Sequence, residues 1–373
     1  MADGTAIEWT DATWNPIIGC SVVSPGCTNC YAMRLAGTRL RNHPTRQGLT
    51  IETKAGPVWN GKVRLNEDEL RAPLRWKRPR NIFVCAHADL FADQVSDRWI
   101  DKVFATMIDA PQHTYQVLTK RPARAKAYIE ALPERRRAWD CHSALDNAAW
   151  PLPNLHLGVS VEDQARADER IPILLETPAA KRWISAEPLL GAIDLTAFEY
   201  GPPIGNAPTY ADYLQGRLWM PEGSWSGRGY TANGRTYVDL TLRLDWVVVG
   251  GESGPGSRPM HPDWVRQIRD DCAAAGVPFL FKQWGNWMPV SQMPDGMSDD
   301  LYHPPPARDP EGIRRCKVAN TVLNRDGHQP KWNDPTHYRH GEGSMLMFEV
   351  GKKAAGRLLD GVEHNGMPGE RGQ

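Results

Sequence analysis

Short apolar runs alternate with amphipathic segments through the middle of the chain. Ile82–Ala86 predicts a buried strand. Asp97 to Ala110 predicts a helix, because Trp99, Ile100, Val103, Met107 and Ile108 recur at helical spacing. Tyr115–Thr119, Leu155–Ser160, Arg182–Ser185, Trp246–Gly250 and Phe279–Lys282 predict further strands. Helices are expected over Ala123–Leu132, near Ala165–Glu176, and from His261-Pro262-Asp263 to a glycine stop at Gly276. Strands alternating with helices argue for a parallel sheet. Continuous apolar strands argue that both of its faces are covered. The expected fold is α/β, a partial or complete (β/α) barrel of about six to seven parallel strands, the additional strand lying before or around residues 20–30. A doubly wound open sheet is the alternative, but no glycine-rich dinucleotide fingerprint follows the first strand.

Two stretches break the alternation. Residues 197–243 are rich in Gly, Pro, Tyr and Trp and read as an insertion with a small hairpin. Residues 286–345 lack periodicity and read as a wrap or lid. The expected organisation is a barrel over 1–285, interrupted at 197–243, followed by a C-terminal extension over 286–373. Gly351–Val362 carries a short helical pattern, and the last ten residues read as disordered.

Composition narrows the function classes without choosing among them. The chain has 373 residues with 44 basic and 44 acidic side chains, so no global charge argues for nucleic acid, and a local patch must be sought. One such stretch is Arg71–Arg80, which holds five basic residues and no acid. No apolar run approaches the ~20 residues of a membrane span. The first residues lack the pattern of a secretion signal, so a cytoplasmic location is expected.

Seven cysteines are present, and three cluster as Cys20, Cys27 and Cys30 in the spacing C-x6-C-x2-C. Without an export signal, clustered cysteines read as metal ligands rather than disulfides. Three thiolates in one loop leave one position of a four-coordinate site open. A four-iron cluster fits that count. Zinc would need a fourth ligand, for which His43, Cys85 and His87 are candidates.

Nearly every predicted strand ends in polar residues, and a barrel converges such ends on one mouth. They are His87 and Asp89; Thr119, Lys120 and Arg121; Ser160 and Glu162; Ser185 and Glu187; Gly250, Gly251 and Glu252; and Lys282, Gln283 and Trp284. Glycines 250 and 251 would let a ligand approach the backbone. The glutamates could accept hydrogen bonds from an amino group or ribose hydroxyls, and Lys120 and Lys282 could meet a carboxylate or phosphate. Glu162 and Glu187 could also serve as an acid/base pair, or as structural ion bridges with Arg121 or Lys282.

The loop Gly19–Ala32, together with Phe83–Phe91, Val117–Pro122, Leu157–Glu162, Ser185–Leu190, Val249–Gly256, Phe281–Gly285 and Gly351–Leu359, resembles the phage and prophage three-cysteine-motif family. That family is similar to radical S-adenosylmethionine enzymes and distantly to the spore photoproduct lyase group. The resemblance implies a [4Fe–4S] cluster on Cys20, Cys27 and Cys30 whose open iron binds S-adenosylmethionine, yielding a 5′-deoxyadenosyl radical that abstracts hydrogen. Cofactor contacts are expected among Ser160, Glu162, Glu187, Gly250, Gly251, Glu252 and Tyr31; because Gly250-Gly251-Glu252 follows a late strand, the family's amino-group role is not carried over to Glu252, and Ser160 and Glu162 suit ribose or amino contacts better. Substrate contacts are expected among His87, Asp89, Lys120, Lys282 and Trp284. It also implies a reductant such as flavodoxin or ferredoxin, a companion protein encoded nearby, a phage-infected or prophage-bearing host, and a DNA base or nucleotide as substrate, for example in isomerisation of a modified base. The familiar first gap is three residues, and here it is six. A zinc-stabilised nucleic-acid-binding protein without catalysis is the competing expectation.

Overall fold

The computed structural model describes residues 5, 7–135, 149–201, 207–224, 229–305, 314–331 and 343–369. Its centre is a seven-stranded sheet: β1 (Ala12–Trp14), β2 (Asn81–Val84), β3 (Thr114–Thr119), β4 (Leu155–Ser160), β5 (Lys181–Ala186), β6 (Trp246–Gly250) and β7 (Phe279–Gln283). Neighbours in space follow the order of the chain, and every pairing is parallel. A doubly wound sheet reverses direction at a switch point. Strict sequential order instead curls the sheet one way, and the result is a half-barrel. The extra strand expected near the cysteines is β1, which pairs with β2.

Four crossovers carry helices: α2 (Asp97–Asp109), α3 (Pro122–Arg135), α4 (Gln164–Glu176) and α5 (Pro262–Ala275), with α1 (Tyr31–Gly37) in the longer β1–β2 connection. Strand side chains alternate between faces. Ile82, Val84, Tyr115, Val117, Leu157, Val159, Ile184, Val247, Val249 and Phe281 point outward into the core shared with the helices. Phe83, Trp183, Trp246, Val248 and Leu280 point inward and close around Trp9. Trp9 meets Phe83, Trp183 and Trp246 edge-on, with ring centroids 4.9, 5.4 and 5.6 Å away. These are favourable quadrupole geometries for aromatic rings. Gly158 faces Trp183 across the β4–β5 register, and a Cβ there would lie 2.4 Å from the indole. Only glycine leaves the ring its space.

The β5–β6 connection is the exception. In place of a helix it carries a five-stranded antiparallel sheet over 198–239, not the single hairpin that composition suggests. Phe198, Ala211, Tyr213 and Leu214 join the outer core, so this sheet covers the strands as a helix would. The C-terminal extension is likewise more regular than its sequence reads. Trp287–Pro289, Asn320–Leu323 and Met345–Glu349 form a three-stranded sheet. The helical pattern over Gly351–Val362 yields one turn, Lys352–Ala355, flanked by Gly351 and Gly356.

Within the last ten residues, the described part departs from expectation. Positions 370–373 lie outside the described residues, as does Cys141. Residues 364–366, however, run along the open edge of β7. Phe281 N donates to His364 O at 3.0 Å, Gly366 N donates to Phe279 O at 2.9 Å, and Trp246 Nε1 donates to Gly366 O at 2.8 Å. An uncovered edge strand is a template for unwanted pairing, and the tail removes it. Among the described residues no helix is long and apolar enough to cross a membrane.

Candidate metal and cofactor site at the barrel mouth

The cysteine loop begins where β1 ends and lies across the carboxyl ends of the other strands. Gly19 pairs with Ala88 beyond β2, its φ of +94° in the region that favours glycine, and a Cβ there would lie 2.3 Å from Lys62 O. Pro25–Cys27 forms a 3-10 turn, stabilised by Cys27 N donating to Ser24 O at 2.9 Å. Cys30 N donates to Cys27 O at 3.2 Å, and Cys30 then precedes α1.

Several strand ends contribute a fastening. After β2, Tyr31 Oη donates to Ala86 O. After β3, Arg121 donates to Ser21 Oγ at 2.6 Å and Ser21 O at 3.2 Å, and its Nη1 lies 3.9 Å from Cys20 Sγ. After β4, Glu162 accepts from Gly26 N at 3.2 Å. A Cβ on Gly26 would press within 3.1 Å of that carboxyl carbon. After β6, Glu252 accepts from Asn29 Nδ2 at 2.9 Å and from Arg258 Nη2 at 2.6 Å, and Arg258 also donates to Pro25 O at 3.0 Å. Four strand ends therefore hold one loop.

The charged fastenings are buried. Glu162 is 0% exposed, paired with Arg170 at 3.1 Å and Lys120 at 3.6 Å. Burial raises its carboxyl, but Lys120, Ser24, Arg170 and Gly26 together hold it below the usual carboxylate range. It stays ionised and makes a poor proton donor at neutral pH. Asp89 is saturated: it accepts from Thr119 Oγ1, Lys120 N, Arg121 Nη1 and Phe91 N within 3.0 Å. It braces the β2 and β3 ends. Glu187 pairs with Lys282 at 2.8 Å, the structural bridge foreseen for it. Ser160, buried at the end of β4, passes its carbonyl to Arg170 Nη1 at 2.8 Å. His87 meets Arg46 at 2.7 Å, and burial and that guanidinium push its imidazole down to about 4.

Two expectations need correction. Gly251 does not clear space for a ligand. A Cβ there would lie 2.0 Å from Trp284 O, and one on Gly285 would lie 2.0 Å from Glu252 O. Two backbones cross at that point, and glycine on both sides permits it. Trp284 is wholly buried, its indole donating to Leu358 O at 2.8 Å, so it belongs to the core and not to the mouth's accessible groups. Gly250 faces the Glu187 carboxyl, which a Cβ would approach to 3.2 Å. Asn29, Arg170 and Arg258 are the site residues that sequence reading missed. Their partners lie far along the chain or across a helix, and no local motif flags them.

Cys20 and Cys30 rest against one small apolar cluster of Ile18, Ala32, Met33, Ala36, Leu49 and Trp59. Desolvation pushes the Cys20 thiol up to about 12 and raises Cys30 as well, with Cys27 close enough to add to the latter. Among the described residues no three His, Cys, Asp or Glu side chains stand in a metal-ligating constellation. Cys20, Cys27 and Cys30 are three thiols on one braced loop, the donor type that soft metals and iron–sulfur clusters take. Of the candidate fourth ligands for zinc, His43 Nδ1 lies 2.8 Å from Thr45 Oγ1, His87 Nδ1 lies 2.7 Å from Arg46 Nη2, and Cys85 is a buried free thiol just beyond β2.

No curated protein and no solved structure matches the chain. Residues 4–368 match one family across nearly the whole length. The chain belongs to that family, described as Protein of unknown function (DUF5131).

Proposed function

We propose that this protein is a radical S-adenosylmethionine enzyme acting on a nucleic-acid base or nucleotide. The observation that carries the reading is the fastening of a three-cysteine loop to the carboxyl ends of a sequentially wound half-barrel. Barrel enzymes build their chemistry at that end. Cys20, Cys27 and Cys30 would hold a [4Fe–4S] cluster. When bound with S-adenosylmethionine, the cluster supplies reductive cleavage of that molecule and so starts hydrogen abstraction, the electron coming from a flavodoxin or ferredoxin. The chain's own residues orient and enclose. Arg121, Glu162, Glu252 and Arg258 fix the loop. Ser160, Lys120, Lys282 and Tyr31 border the space beside it, where ribose, carboxylate and adenine contacts are needed. Trp9 and its aromatic partners pack the inward face of the sheet away from the loop.

Anaerobic reconstitution with iron and sulfide tests the reading. The expected result is about four irons and four sulfides per chain, thiolate-to-iron absorbance, and 5′-deoxyadenosine on reduction with S-adenosylmethionine. The triple variant Cys20→Ala, Cys27→Ala, Cys30→Ala should lose all three signals. Stoichiometric zinc without sulfide would sink the proposal.

A further inference from the structure

The zero net charge conceals a strongly asymmetric surface. Residues 34–64 hold seven basic side chains, Arg34, Arg39, Arg41, Arg46, Lys54, Lys62 and Arg64, against one acid, Glu52. This segment comprises most of α1 and the antiparallel pair Thr50–Thr53 and Gly56–Trp59. It stands beside the mouth: it follows Cys30 directly, and Arg46 reaches His87 beyond β2. Arg39, Arg41, Lys54 and Lys62 are exposed.

Compensation is what separates this face from an ordinary solvated one. Among the described residues none of the seven forms an ion pair with a carboxylate. Arg34 donates to Asn29 Oδ1 and Pro255 O, and Arg64 to Pro44 O and Gln47 O. These contacts pre-orient the guanidiniums without neutralising them. The acids that follow serve elsewhere: Glu67 pairs with Lys102 at 3.3 Å, and Glu69 acts on Arg46 through space without an ion pair. The Arg71–Arg80 stretch, by contrast, runs into the amino end of β2, at the other end of the barrel.

We infer that the Arg34–Arg64 face is the docking surface for the phosphate backbone of a nucleic acid, which it holds so that one nucleotide reaches the mouth. Five of the seven cations are arginines, whose planar forks match phosphate oxygens. Tyr31, 56% exposed at the boundary between face and loop, offers a ring on which a base can stack. The inference rests on the mouth being the working end, as proposed above, and names the surface that delivers its substrate.

The test is binding of a fluorescein-labelled DNA, about 20 nucleotides long, as duplex and as single strand, by fluorescence anisotropy across a salt series. The quadruple variant Arg39→Gln, Arg41→Gln, Lys54→Gln, Lys62→Gln changes only exposed side chains. It should weaken binding by about tenfold or more and reduce the slope of log affinity against log salt by roughly three. The matched variant Arg71→Gln, Arg75→Gln, Lys77→Gln, Arg78→Gln should bind like the unaltered protein. Whichever DNA form shows the larger loss identifies the substrate form. Equal binding by the first variant, loss confined to the second, absence of binding by the unaltered protein, or equally effective competition by polyglutamate would each overturn the inference. Iron and sulfide content, measured on the same samples, separates this outcome from the cluster question: a loaded protein that binds no DNA refutes only the surface.

Discussion

The two ends of the half-barrel are built from opposite chemistries. At the amino end the interior is filled by Trp9, Phe83, Trp183 and Trp246, rings packed edge to face. At the carboxyl end, β4, β5 and β6 are followed by Glu162, Glu187 and Glu252, each tied to lysine or arginine. Apolar packing is undirected and tolerates no void, so it suits a plug. Paired charges cost desolvation and add little net stability. They do fix direction, and direction is what a loop carrying three thiols requires. The contrast teaches that stability and positioning are separated along the barrel axis.

Changes at the plug should therefore cost the most stability and leave the loop unaffected. Trp183→Ala removes a wholly buried indole and should lower the unfolding free energy by about 3–5 kcal/mol, read by urea denaturation. Iron loading per folded molecule should not change. If loading falls in step with stability, the two ends are not separable.

At the mouth the expected outcome is reversed. Glu162→Gln preserves shape but leaves Arg170, 2% exposed, with only the exposed Glu169 carboxylate at 3.9 Å. A loss of roughly 1–3 kcal/mol is expected. Its distinguishing signature is faster alkylation of the loop cysteines, because Gly26 N loses an ionised acceptor. Unchanged alkylation rates would show that the loop holds itself.

An effect of similar size, confined to acid pH, concerns a histidine. His156 lies on β4, and burial, with Lys181 adding to it, pushes its imidazole down to about 4. A group held neutral in the folded state contributes stability above its ordinary value of about 6.5. That contribution is lost as pH falls from there toward 4. The slope of unfolding free energy against pH in this window should flatten in His156→Gln, by an amount on the order of 1–3 kcal/mol across it. A slope carried over intact into the variant would assign the effect to the other histidines that burial pushes down, His87, His113, His261 and His364.

Much of the barrel was legible because its strands announce themselves. Val247, Val248 and Val249 in β6, or Leu157 and Val159 in β4, are apolar runs between polar turns, and the helices between them have clear spacing. β1, three residues long, gives no such run and declares itself only through its pairing with β2. The sheet over 198–239 was hidden because its alternation is written in Tyr, Trp, Arg and Thr, whose pattern composition alone reads as loop. The polar strand ends were found, and the Glu187–Lys282 bridge was among the uses expected, but most of the others were not. Whether Glu252 faces a ligand or Arg258 depends on a turn six residues long, and whether Gly251 clears a ligand or Trp284 depends on a neighbouring strand. Contacts of that range leave no periodic trace in a sequence.

The tail along β7 carries a consequence for how the molecule is made. Residues 364–366 complete the hydrogen bonding of β7 and of the Trp246 indole, yet they are synthesised after all seven strands. During translation the β7 edge emerges uncovered and waits for the remainder of the chain. Assembly of the barrel is thus coupled to a contact that arrives late, and an edge left open in that interval is where a nascent chain is most exposed to wrong pairing. The sheet is wound from its first strand to its last, but its final edge is covered by a segment made well after that last strand.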